Sequence, residues 1–185
     1  MTPGNARLRR VTARRRTADD WLLVLAPGVY RALVAIGWLV VERLSPRSAL
    51  RRALLVRLCL RTYGAFNRRD LPAFLGNFTS DAVYDTSHVV GWPERQVYHG
   101  HAGLTEMAHD WFTTWDFWLE LEDVRDLGGN RVLVLADDRM TGTGSGVELE
   151  SVLWTQVATV RRGLCERVDN YTDRQEALEA VGLSE

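Results

Sequence analysis

Residues 131–173 read RVLVLADDRMTGTGSGVELESVLWTQVATVRRGLCERVDNYTD. Apolar-rich segments here are broken by Gly142 to Gly146 and by Arg161-Arg162-Gly163, the pattern of strands joined by glycine turns. The predicted strands cover about 131–142, 146–161 and 164–172, and a further one at about 117–126 lies ahead of Leu127-Gly128-Gly129-Asn130. A short helix, RQEALEAVGL, follows the last strand. Upstream, the sequence predicts a helix from about Ala102 to Trp115, a loop holding Gly91, Trp92 and Pro93, and a short strand at 82–86. Leu50, Leu54, Leu55, Leu58, Tyr63 and Phe66 recur at helical spacing, and Asp70 is placed to cap a second short helix, with Pro72 in its first turn. Helices followed by a run of antiparallel strands imply an α+β domain in which a curved sheet closes over a helix. Polar residues inside such a cone are the candidates for chemistry.

The chain's 185 residues, 46% of them hydrophobic, suit one domain with a full core plus an appendage. Cys59 and Cys165 have neither CxxC nor metal-ligand spacing, so they read as small buried apolar residues. His99, His101 and His109 lack the spacing of a metal site, and no metal or cofactor is expected. Gly142-Thr143-Gly144-Ser145-Gly146 joins two strands rather than opening a helix, which makes it a hairpin turn and not a phosphate loop.

Charge divides the chain. Residues 1–69 carry 15 Arg against three acids, while 70–185 carry 8 Arg against 21 acids. The organisation expected is a basic disordered arm at 1–18, an apolar helical extension at 19–45 and the α+β domain at 46–185. The arm's arginines have no interleaved aromatic residues and no DNA-reading motif follows, so nucleic acid is not an expected partner. Residues 21–41 are apolar apart from Arg31 and long enough to cross a bilayer, but Pro27-Gly28 interrupts them. Three readings stand: a helix packed on the domain or a partner, an interfacial membrane helix, or a span. No A-x-A cleavage site follows, so the expected location is cytoplasmic, with membrane association through 19–45 as the open alternative.

The segments AFNRRDLPAFLGNFTSDAVYD, YHGHAGLTEM, GSGVELE and NYTDRQEALEAVGL, in that order, resemble the SnoaL-like branch of the nuclear transport factor 2-like superfamily over about residues 50–183. The resemblance implies a cone-shaped curved antiparallel sheet wrapped around helices, related to the cystatin fold. That superfold hosts isomerases, cyclases, epoxide hydrolases, dehydratases and non-catalytic binders. Likeness to ketosteroid isomerases places a carboxylate base at Asp85 and an oxyanion hole at Thr62, with Tyr63 beside it, and at Gln156. Likeness to limonene epoxide hydrolase matches its arginine at Arg139, but puts Thr141 and Asn170 where that enzyme needs carboxylates. Likeness to polyketide cyclases makes Asp173 a second acid or base.

Each candidate has a plainer role. Asp85 precedes Thr86 and Ser87, where an aspartate commonly bonds the turn backbone. Asp173 is an N-cap, with Glu176 as a capping-box partner. Strand alternation is taken to place Asp137 and Arg139 inside the cone as an ion pair. Gln156 shares a face with Val152, Trp154, Ala158 and Val160, so its amide needs a partner or ligand. Of Trp111, Phe112, Trp115, Phe117 and Trp118, most are expected in the core and one or two at the cone's mouth.

The reading is a protein, homodimeric through the sheet's outer face, that binds a small hydrophobic carbonyl compound and isomerises or cyclises it by proton transfer. Asp85, Tyr63 and Asp173 form the catalytic set; Thr62, Gln156, Arg139, Asn170, Trp154 and His88 the ligand-binding set. The rival class is a non-catalytic binding or interaction module, docked to a membrane or partner by its N-terminal helices.

Overall fold

The computed structural model describes residues 14–46, 48–89 and 96–182, with the side chains at 150 and 151 excepted. The elements are α1 (Ala18–Leu25), α2 (Pro27–Arg43), α3 (Ala49–Asn67), α4 (Leu71–Leu75), β1 (Phe78–His88), β2 (Val97–His99), α5 (Gly100–Thr114), β3 (Trp115–Gly128), β4 (Arg131–Gly142), β5 (Glu148–Arg161), β6 (Leu164–Tyr171) and α6 (Arg174–Ala180). The six strands form one sheet in the order β2-β1-β6-β5-β4-β3, antiparallel except for the parallel β1–β6 pair. The expected α+β cone is present. Helices α3 and α5 fill its concave side, and α6 lies on the convex side over Leu133, Val157 and Tyr171. Loop residues 90–95, with Gly91, Trp92 and Pro93, and most of the basic arm lie outside the described residues.

β1 starts earlier than its apolar run implies, at Phe78 rather than Ala82. Thr79, Ser80 and Asp81 are polar, and the pairing to β6, with Phe78 opposite Cys165 and Val83 opposite Arg167, shifts register between those two anchors. Pro27 ends α1 and sits in the first turn of α2, where its missing N–H costs nothing. Thr17 caps α1 in a reciprocal capping box with Asp20, and Ser48 caps α3.

The N-terminal helices are fastened to the domain at several points. Asp20, 1% exposed, takes the Arg68 guanidinium at 2.9 Å. The Tyr30 hydroxyl donates to Asn77 Oδ1 at 3.2 Å, and Arg51 ion-pairs with Asp126 while donating to the Val41 carbonyl. Gly163 turns β5 into β6 with φ +80°, and a Cβ there would come within 2.4 Å of Val34 on α2.

Asn67, at the end of α3, treats the edge strand as a peptide would. Its Nδ2 donates to the Leu119 carbonyl at 2.8 Å, and the Leu119 N–H donates back to its Oδ1 at 2.9 Å. This closes the outer ladder of β3, the last strand in the sheet. Replacing Asn67 by Ala strands two buried backbone groups, and chemical denaturation should register a loss of about 2–4 kcal/mol. A loss below about 0.5 kcal/mol would contradict this role.

Candidate functional site

Two adjoining cavities lie between α3, α5 and the concave face of the sheet, sharing Phe66, Tyr84, Leu119 and Gln156 as a common wall. The inner one, about 80 Å³, continues over Thr62, Tyr63, Phe78, Val134 and Val168. The outer one, about 50 Å³, passes Trp111, Trp154 and Asn170 and reaches half-exposed Asp110, Trp115 and Thr86. Water needs roughly 10–15 Å³ and benzene fits a cavity of about 150 Å³, so the two together suit a molecule near one ring in size. Phe66 anchors the apolar wall, with the rings of Phe74, Phe112 and Phe117 centred 5.0, 5.1 and 5.1 Å away.

One hydrogen-bonded line crosses this wall, and its polarity is fixed from one end. The Asp85 backbone carbonyl can only accept, so Asn170 presents Nδ2 to it, at 2.9 Å. Asn170 Oδ1 therefore faces Gln156 and must accept from its Nε2, at 2.5 Å. The Gln156 oxygen is then turned to Tyr63, whose hydroxyl donates to it. The second Nε2 hydrogen goes to the Tyr84 oxygen at 3.1 Å. Tyr84 accepts from Gln156, and Asn170 also lies within hydrogen-bonding reach of its phenol. Burial pushes the Tyr63 and Tyr84 pKa values well above the ordinary phenol range, so both stay protonated donors.

Tyr63, Thr62, Gln156, Asn170 and Trp154 lie on the chamber wall. Asp85 is placed differently. It lies opposite Asp169 on β6, on the convex face, while its neighbour Tyr84 lies opposite the cavity-lining Val168. Its Oδ1 accepts from the Ser87 N–H at 2.9 Å and its Oδ2 from Arg167 at 3.1 Å. Burial pushes its pKa up, but the Ser87 hydrogen bonds and the His88 and Arg167 charges outweigh that and hold it below the ordinary carboxylate value. The group the sequence offers as a base enters the network through its carbonyl alone.

His88 stacks on Tyr171, centroids 4.7 Å apart, with Nδ1 3.4 Å from Glu176. Asp173 caps α6, accepting from the Gln175 and Glu176 N–H groups at 2.7 and 3.1 Å. Neither is among the residues lining the chamber. Placing Asp137 and Arg139 inside the cone is incorrect: Arg139 lies opposite Trp118 and lines an outer groove with Arg14, and it is Asp138 that shares the concave face with Leu119. Cys59 and Cys165 are buried thiols, and burial pushes Cys59 up to about 12. Among the described residues no group of three His, Cys, Asp or Glu stands close enough to hold a metal ion.

Asp138 has 0% exposure, and no described residue gives either of its oxygens a hydrogen bond of ordinary geometry. Burial pushes its pKa from the ordinary 3.8 up to about 7, with the Trp118 amide and the Trp154 indole pulling the other way. Tyr84 and Asp110 on the chamber wall, and Asp138 buried opposite Leu119, are the residues that sequence reasoning did not single out.

No family model and no curated protein matches the chain. Solved structures do match in fold. An NTF2-like protein of unknown function from Burkholderia pseudomallei is 19% identical with a TM-score of 0.56, covering 70% of this chain and 98% of that one. TerC, co-crystallised with polyporic acid, is 20% identical with a TM-score of 0.55, covering 69% and 98%. A ketosteroid isomerase-like protein from Erwinia carotovora atroseptica is 20% identical with a TM-score of 0.51, covering 67% and 97%. The α+β cone built around a polar line in an apolar chamber is therefore the nuclear transport factor 2-like fold, as the sequence resemblance implies.

Asp138 makes stability depend on pH in a predictable direction. Between 3.8 and about 7 the folded chain keeps a proton that the unfolded chain has released, so stability falls as pH rises through this window and levels off above it. The full effect is on the order of 4 kcal/mol. Asp138→Asn should remove most of the difference in urea midpoint between pH 5 and pH 8 and raise stability at pH 8. An unchanged pH profile in the variant would contradict the assignment.

Proposed function

We propose that the chamber binds a small, largely apolar carbonyl compound, about one ring in size, whose oxygen accepts the Tyr84 O–H hydrogen bond. The observation that carries this reading is the hydrogen-bond order set by the Asp85 carbonyl, which makes Tyr84 an acceptor from Gln156 and keeps its protonated phenol on the wall shared by both cavities. The similarity to TerC, crystallised with polyporic acid, and to a ketosteroid isomerase-like protein supports a small-molecule role for the fold.

Isomerisation or cyclisation by proton transfer is the finer reading. It moves from Asp85 to Asp110, the carboxylate lining the outer cavity. A proton removed beside the bound carbonyl passes to Asp110, while Tyr84 donates to the developing enolate oxygen. A homodimer through the outer face of β5, where Leu149 and Leu153 are exposed, belongs to the same proposal.

A pair of probes of the same shape tests the reading: cyclohex-2-enone and cyclohexene, with binding followed by NMR titration. Tyr84→Phe should weaken the enone by about tenfold and leave cyclohexene unchanged. Equal binding of both probes by both proteins would contradict the oxygen site. With the enone in deuterium oxide, the wild type should speed exchange of its acidic hydrogens and Asp110→Asn should not, while binding is retained. Exchange no faster than in buffer would leave a binder and remove the proton-transfer reading.

A further inference from the structure

α2 carries two apolar stripes instead of one. Tyr30, Val34, Trp38 and Val41 face the domain, with Tyr30, Trp38 and Val41 at most 5% exposed. Val29, Leu33, Ile36 and Val40, also three and four residues apart, form a second stripe and are 54%, 55%, 61% and 49% exposed. Leu25 on α1, 75% exposed, and Leu39, 52%, extend this outer face. A helix packed on one side ordinarily turns polar residues to water on the other, so a second stripe of this length marks a surface built to be covered.

The charges beside the stripe indicate what covers it. Arg31 and Arg43 on α2 are exposed, and Trp21 on α1, 49% exposed, has the guanidinium of Arg16, itself paired with Asp70, 4.9 Å from its ring centre. The nearby acids are engaged elsewhere. Asp19 pairs with Arg57 at 2.5 Å and Asp20 with Arg68, while Glu42 accepts from the Trp38 indole at 3.0 Å. A second copy docked here about a twofold axis would bring arginines towards arginines with few carboxylates free to answer them. An anionic surface matches this pattern, because arginines and an interfacial tryptophan around an apolar stripe are what a helix lying in a lipid headgroup layer requires.

Among the described residues no helix is long and apolar enough to cross a membrane. α2 is also held flat on the domain through Tyr30 and through its contact with Gly163. We propose that the outer face of α1–α2 lies in the surface of an anionic phospholipid bilayer, holding the domain at the membrane. This is independent of what the chamber binds.

The test is co-sedimentation of the full chain with phosphatidylglycerol-containing vesicles and with pure phosphatidylcholine vesicles, at low and high salt. The protein should sediment with the anionic vesicles and be released by salt. The double variant Leu33→Ser, Ile36→Ser, whose side chains are exposed, should keep the wild-type circular dichroism and lose about tenfold or more in affinity. Equal binding to both vesicle types, or binding unaffected by the variant, would overturn the proposal. So would a wild-type dimer that the variant converts to monomer without any vesicle binding, since a second copy would then be the occupant.

Discussion

The Gln156 amide is a strongly polar group placed among Phe66, Leu119 and Val134, and the fold is arranged so that both its N–H hydrogens and its oxygen are bonded. Its partners arrive from three different elements: Tyr63 from α3, Tyr84 from β1 and Asn170 from β6. Leaving one such group without its partner costs about 1–3 kcal/mol, so helix and strands are coupled in position across the chamber. For the proposed carbonyl guest, this line is the fixed polar feature of the wall, with the Tyr84 phenol the group offered to its oxygen.

Much of the architecture could be read from the chain. The strand predicted at 131–142 matches β4, and the glycine turn at Gly163 falls where α2 approaches too closely for a side chain. Gln156 stood out because its neighbours on the same face are apolar, and the structure gives it three partners. What was hidden was parity. In β4 both faces are apolar, since α6 covers Leu133 on the convex side while Val134 lines the cavity on the other. With no polar alternation to read, the inward acid was assigned to Asp137 instead of Asp138.

The same ambiguity governs Asp85. Its position after a short apolar run resembles that of a catalytic carboxylate, yet β1 turns Tyr84 inward, and Arg167 and Ser87 N–H hold the carboxylate on the convex side. The residue still matters to the chamber, because its carbonyl sets the direction of the entire hydrogen-bonded line. The N-terminal helices follow different physics. Their inner stripe packs and their outer stripe does not, a distinction visible only once Tyr30 is seen bonded to Asn77.

A crystal structure of the full chain with cyclohex-2-enone bound tests the central claim most directly. The account predicts the carbonyl oxygen within ordinary hydrogen-bond distance of the Tyr84 hydroxyl, with Gln156 still joined to Tyr63 and Asn170. A ring bound elsewhere on the surface, or a chamber closed by Phe66 and Trp154 with Tyr84 bonded to a protein acceptor, would contradict it.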